Sequence, residues 1–230
     1  PAFTNTLSTT FDGTDDFVDC GNPSSLQITG ALTLSAWVKR DVTSSTANYV
    51  IIGKDSTTST LNRGYLLNVN PTTNKIQLVI FYDSIGSINI VASTSSIVTD
   101  QWTHVMGVND GTDLKIYING VLENTNVGGG NVINNTPINF NIGRRASSPS
   151  TRGYWNGEID EVAVWDSDQS TNASAIYNSG TPTDLTSYSP ISWWRMGDGS
   201  TYPTINDEIG SNNGTMTNMT SANFVTDVPT

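Results

Sequence analysis

Apolar and polar residues alternate with a period of two along most of the 230-residue chain, the pattern of strands with one buried face. In residues 32–39, Leu32, Leu34, Ala36 and Val38 fall on one face. Further runs at 49–52, 64–69, 75–82, 87–92, 102–108, 114–118, 138–142 and 157–165 read the same way. Asp110-Gly111 marks a turn between two of them, and Asn119-Gly120 predicts a type I′ hairpin because both residues accept positive φ. One short helix is predicted, capped by Ser170 or Thr171, carrying Ala173, Ala175 and Ile176, and stopped by Gly180 at C′. Polar low-complexity stretches at 43–46 and 147–151 read as surface loops. The expected architecture is all-β: a two-sheet antiparallel β-sandwich of jelly-roll type with one short helix.

Charge and composition narrow the function. Ten Lys and Arg against 21 Asp and Glu give a net charge of −11, so no basic surface exists for nucleic acid or anionic membranes. No apolar run approaches the ~20 residues that cross a bilayer, which argues against membrane insertion. Cys20 is the single cysteine, excluding an intramolecular disulfide or a multi-cysteine zinc site. His104 is the single histidine, which disfavours histidine metal centres and a Ser-His-Asp hydrolase. The first residues lack the charged and apolar regions of a leader; either a leader has been removed or an initiator Met trimmed before Pro1.

Several strings occur in a telling order: Phe11-Asp12-Gly13 with Asp16-Phe17-Val18, Leu34-Ser35-Ala36-Trp37-Val38, Trp102-Thr103-His104-Val105, Asp110-Gly111 with 114–120, Ile142-Gly143-Arg144, and Gly157-Glu158-Ile159-Asp160-Glu161-Val162. Together, over residues 9–180, they resemble the concanavalin A-like lectin/glucanase superfamily in its laminin G-like branch. The resemblance implies two curved antiparallel sheets, often a structural calcium, and roles from sugar binding to protein adhesion. A second set, Trp193-Trp194-Arg195-Met196-Gly197-Asp198-Gly199 followed by 206–210 and 212–218, resembles a piece that in this branch precedes the Phe-Asp-Gly string. Its position at the end suggests a circular permutation, with 190–226 folding back beside 1–12 to complete one laminin G-like domain over 1–230. A tail that docks on another subunit is the alternative.

Period two in 158–164 places Asp160 with Val162 and Val164, and Ile159 and Glu161 opposite. A carboxylate on a buried face needs a cation or backbone donors. The resemblance implies a structural Ca2+ held by Asp160 with carbonyls around Asp12 and Gly13; the alternative is that Asp160 holds the Asp12-Gly13 turn through backbone N–H groups. Asp12, Asp15, Asp16 and Asp19 form an acidic run that is a cation site or a solvated loop. Residues 166–170 begin like a calcium loop, but Thr171 replaces its Gly and no Glu closes it. Glu158-Ile159-Asp160-Glu161 resembles the motif of retaining β-glucanases, yet with Glu161 opposite there is no second Glu on the face, and catalysis is not expected.

His104 alternates with Trp102, Met106 and Val108 and reads as packed against a sheet; Cys20 reads as a small buried hydrophobe. Trp37, Trp165 and Trp194 read as packing residues. Tyr154, Trp155 and Asn156, with Arg144, Arg145 and Arg152, form the ligand-binding candidate: a ring for a sugar face and polar groups for hydroxyls. Tyr65 and Tyr82 are weaker candidates. The expectation is a non-catalytic recognition or adhesion module, extracellular or on a virion surface. Its expected partners are a glycan or surface protein, capsid or other virion proteins, or further copies of itself. A dedicated carbohydrate-binding lectin module is the alternative, and a glycoside hydrolase the third reading.

Overall fold

The computed structural model describes residues 3–41, 49–83, 85–146 and 153–230. The loops read at 43–46 and 147–151, and Arg152, lie outside the described residues. The chain opens with β1 (Ser8–Asp12), β2 (Phe17–Asp19), β3 (Leu32–Arg40), β4 (Tyr49–Asp55), β5 (Arg63–Val69), β6 (Ile76–Phe81) and β7 (Ile88–Ala92). It continues through β8 (Thr103–Asn109), β9 (Leu114–Ile118), β10 (Val121–Asn126), β11 (Asn141–Ile142) and β12 (Asn156–Trp165) to the short helix α1 (Ala173–Tyr177). After it come β13 (Ser192–Trp194), β14 (Met196–Gly199), β15 (Thr204–Ile205), β16 (Gly214–Thr217) and β17 (Phe224–Val225).

Two antiparallel eight-stranded sheets result. The first runs β10-β9-β8-β3-β12-β1-β17, with β13 also on β12; the second runs β15-β16-β2-β11-β4-β5-β6-β7. Alternation decides which side chains meet between them: Leu32, Leu34, Ala36 and Val38 of β3 pack against Leu67 of β5 and Leu78 and Ile80 of β6, with Trp155, Trp194 and Phe140 in the same core. The opposite face of the first sheet is covered too. Met106, Val108, Ala163 and Trp165 lie under Ala173 and Ile176 of α1 and under Leu185.

The Asn119-Gly120 turn has φ of 50° and 73°, the type I′ geometry its sequence predicts. Two expectations shift. The helix is capped by Asn178 in the left-handed region (φ 48°), ahead of Gly180. The strand expected over 138–142 contracts to β11, because the Ile138 carbonyl accepts from Lys54 and Phe140 N donates to Gly21 O.

The last forty residues pair with both sheets. β13 lies on β12, β16 on β2 and β17 on β1. Trp194 is fully buried, its indole N–H donating to Asn212 O, and Thr9 Oγ1 of β1 donates to Met196 O of β14. At the far side, the edge strands β7 and β10 are joined by side chains: Asn124 and Asn126 donate to Ala92 O and Ile90 O, and Asn89 donates to Gly129 O.

Candidate functional site

The carboxylates of β12 depart from the period-two expectation. Glu161 has φ of 49°, and the β12–β3 register shifts between Asp160 and Ala163. This bulge inserts one residue, so Ile159 and Val162 both face the core while Asp160 pairs opposite Trp37 on the outer face. Asp160 therefore does not share a face with Val162, and Glu158, Asp160 and Glu161 all lie on the outer side of the first sheet. Two of the three are closed off from solvent: Asp160 is 0% exposed and Glu161 3%. Asp160 accepts from Asn5 Nδ2 (2.7 Å) and Glu161 N (2.9 Å). Glu161 accepts from Trp193 Nε1 (2.6 Å) and Arg195 Nε (3.2 Å). Burial raises both carboxyls above their ordinary range, and for Asp160 the neighbouring Glu161 adds to it. Ser35 and His104 lie nearby, with Ser35 Oγ 2.8 Å from His104 Nε2, but burial holds the imidazole neutral with a pKa near 3.

The expected cation set of Asp160, Asp12 and Gly13 does not assemble. Asp12 pairs with Asn156, four residues from Asp160, or about 13 Å at ~3.3 Å per residue. Gly13 (φ 74°) abuts Asn156, whose Cβ lies 2.8 Å from where a Gly13 Cβ would stand. Asp12 Oδ1 instead accepts from the backbone N–H groups of Thr14, Asp15 and Asp16, closing its own turn. The carboxylates of Asp12, Asp15 and Asp16 lie together, and burial and the two neighbouring acids raise the Asp16 pKa.

The expected ligand cluster also divides. Trp155 is fully buried and donates to Glu158 O, so its ring offers no platform to a sugar. Tyr154 is half-buried and Asn156 is packed on Gly13. Arg144 and Arg145 lie on the outer face of the second sheet. Arg144 is stacked over Phe17 at 3.3 Å and bonded to Asn141, and Arg145 is paired with Asp55.

Among the described residues, two open concavities with polar lining lie elsewhere, where the loops after β2 and before β11 meet. A cleft of about 270 Å³ is lined by Asn22, Gln27, Asn135, Thr136 and Pro137. Gln27 also lines an adjoining cleft of about 370 Å³ with Ser24, Ser25, Thr29 and Asp166. Beneath them Lys54, 1% exposed, reaches between the sheets to Asn22 Oδ1 and Ile138 O, fixing both loops. Desolvation lowers its pKa to about 8. Sequence reasoning missed this site. Its one visible signal was a lysine, Lys54, directly after the apolar run at 49–53.

The sequence matches the family model Laminin_G_3, described as Concanavalin A-like lectin/glucanases superfamily, over residues 12–176. The chain belongs to the concanavalin A-like lectin/glucanase superfamily. No protein among the curated ones matches it. Among solved structures, a candidate carbohydrate-binding protein from Bacteroides ovatus superposes at a TM-score of 0.74 and 20% identity, over 99% of this chain and 62% of its own. The chain thus spans about three fifths of that protein's length. A heptameric SAP-like pentraxin from Limulus polyphemus matches at 0.56 and 20%, over 92% and 95% of the two chains. The CBM40 domain of the Ruminococcus gnavus IT-sialidase, solved with α2,3-sialyllactose, matches at 0.62 and 13%, over 74% and 96%. These likenesses establish the superfamily's sandwich fold.

Proposed function

We propose that the protein is a non-catalytic carbohydrate-binding module of the concanavalin A-like superfamily, working outside the cell, with the cleft at Asn22, Gln27 and Asn135 as its glycan site. The observation that carries this reading is that the amides of Asn22, Gln27 and Asn135 and the hydroxyl of Thr136, each able to donate and accept, line the cleft beside Pro137 on loops held from below by Lys54. Sugar hydroxyls present that same mixed chemistry, and a preformed concave site limits the ordering cost of binding. The carbohydrate-binding assignment of the Bacteroides protein and the ligand of the Ruminococcus module support it over a virion-surface role. Burial of Asp160 and Glu161 supports a binding role over hydrolysis. In a screen of neutral oligosaccharides, one class is expected to bind saturably and to be recovered uncleaved. Gln27→Ala with Asn135→Ala is expected to weaken that binding at least tenfold without lowering the melting temperature. Unchanged affinity in the double variant overturns the site, and release of shorter sugars overturns the non-catalytic reading.

A further inference from the structure

The outer face of the second sheet concentrates positive charge in a chain whose net charge is −11. Cross-strand register places Asp55 beside Arg63, and Phe81 lies on the same side. Gly53, Asn141 and Asp19 face the same way across β4, β11 and β2, with Phe17 two residues along β2 from Asp19. Three guanidinium groups stand on this surface. Arg63 lies 3.9 Å above the Phe81 ring and donates to Asp55 Oδ1 at 2.9 Å. Arg145 Nε is 2.6 Å from Asp55 Oδ2, a close charge contact on the carboxylate that Arg63 also holds. Arg144 is stacked on Phe17 and bonded only to the neutral amide of Asn141 among the described residues.

Among the described residues, two arginines thus share one carboxylate and the third pairs with none. A second acid on the face, Asp19, is taken up by Asn139 Nδ2 and Gly21 N and makes no ion pair among the described residues. The side chains of Arg63 and Arg145 remain 25% and 18% exposed. Stacking of Arg63 and Arg144 on rings fixes the plane of each guanidinium, and a guanidinium held in plane takes a carboxylate in two parallel hydrogen bonds where its edge is free.

We propose that Arg63, Arg144 and Arg145 form an anion platform that binds the carboxylate of an acidic sugar, separate from the neutral-sugar cleft at Asn22 and Asn135. The choice of a sugar as the carrier of that carboxylate rests on the carbohydrate-binding reading; the platform itself does not. The test is calorimetry of the intact protein with a galacturonate tetramer and with 3′-sialyllactose, against lactose as the neutral control. Free glucuronate is titrated in parallel against glucose. At least one carboxylated saccharide is expected to bind ten times or more tighter than lactose and to lose that advantage at 0.5 M salt.

Arg144→Gln, which leaves both Asp55 contacts in place, is expected to weaken the binding several-fold, and Arg145→Gln at least tenfold. Gln27→Ala with Asn135→Ala is expected to leave it unchanged. Equal binding of charged and neutral sugars, or carboxylate binding untouched by both arginine variants, overturns the platform. Glucuronate binding that depends on Arg144 while no neutral glycan binds supports the platform and overturns the cleft. Glycan binding confined to the cleft does the reverse.

Discussion

Lys54 sits between the sheets with neutral acceptors, Asn22 Oδ1 and Ile138 O, and no carboxylate within ion-pair reach among the described residues. Its folded pKa near 8 lies below the ~10.4 of an unfolded lysine. Between those values the unfolded chain binds more protons than the folded one, so this group's contribution to stability grows as pH rises from about 8 to 10.5. Melting scans over that range are therefore expected to show wild type gaining on a Lys54→Met variant step by step. Parallel curves would mean that the amine is not desolvated. Asp160 is the converse case, a buried carboxylate whose oxygens meet N–H donors from Asn5 and Glu161. Asp160→Ala strands both donors and is expected to cost roughly 2–4 kcal/mol in denaturant unfolding. Calcium or a chelator is expected to leave the melting temperature of either form unchanged; a calcium-dependent rise lost in Asp160→Ala would restore Asp160 as a metal ligand.

At the scale of elements, strands were legible wherever alternation was strict. β3 and β9 appear almost residue for residue where Leu32–Val38 and 114–118 predict them, and the Asn119-Gly120 hairpin follows from its dipeptide alone. β12 was misread for one reason. A single residue, Glu161, adopts a left-handed conformation that nothing in its type announces, and every face assignment before it is then reversed relative to those after it. The candidate ligand residues failed for a related reason. Tyr154, Trp155 and Asn156 are consecutive in sequence, but approach to β12 sends the indole inward and leaves the tyrosine outside. The Asn22–Asn135 cleft joins loops more than a hundred residues apart, and no local pattern encodes such a meeting.

For the whole molecule, residues 192–225 contribute strands to both sheets, and Trp194, Met196, Met216 and Met219 lie in the central core. We therefore propose that this segment completes the domain as a permuted element. Removing residues 190–230 is expected to abolish cooperative unfolding; a truncated chain that melts as the full one does would show the segment to be an accessory. Moving the segment ahead of residue 3 through a short linker is expected to preserve the melt, since Ser8 Oγ already donates to Asp227 O and β17 pairs with β1.

The amides of Asn124 and Asn126 have a further consequence. They fill the carbonyls of β7 that an incoming strand would need, so each sheet's outermost strand on that side is blunted by the other sheet. Growth of either sheet by recruiting a neighbour's strand is closed off there without a proline or an edge lysine. On β7 the protection is conditional on two nitrogen atoms. Hydrolysis of these amides to aspartate would set oxygen against oxygen, part the two sheets along their shared seam, and expose two adhesive margins where the folded protein shows none.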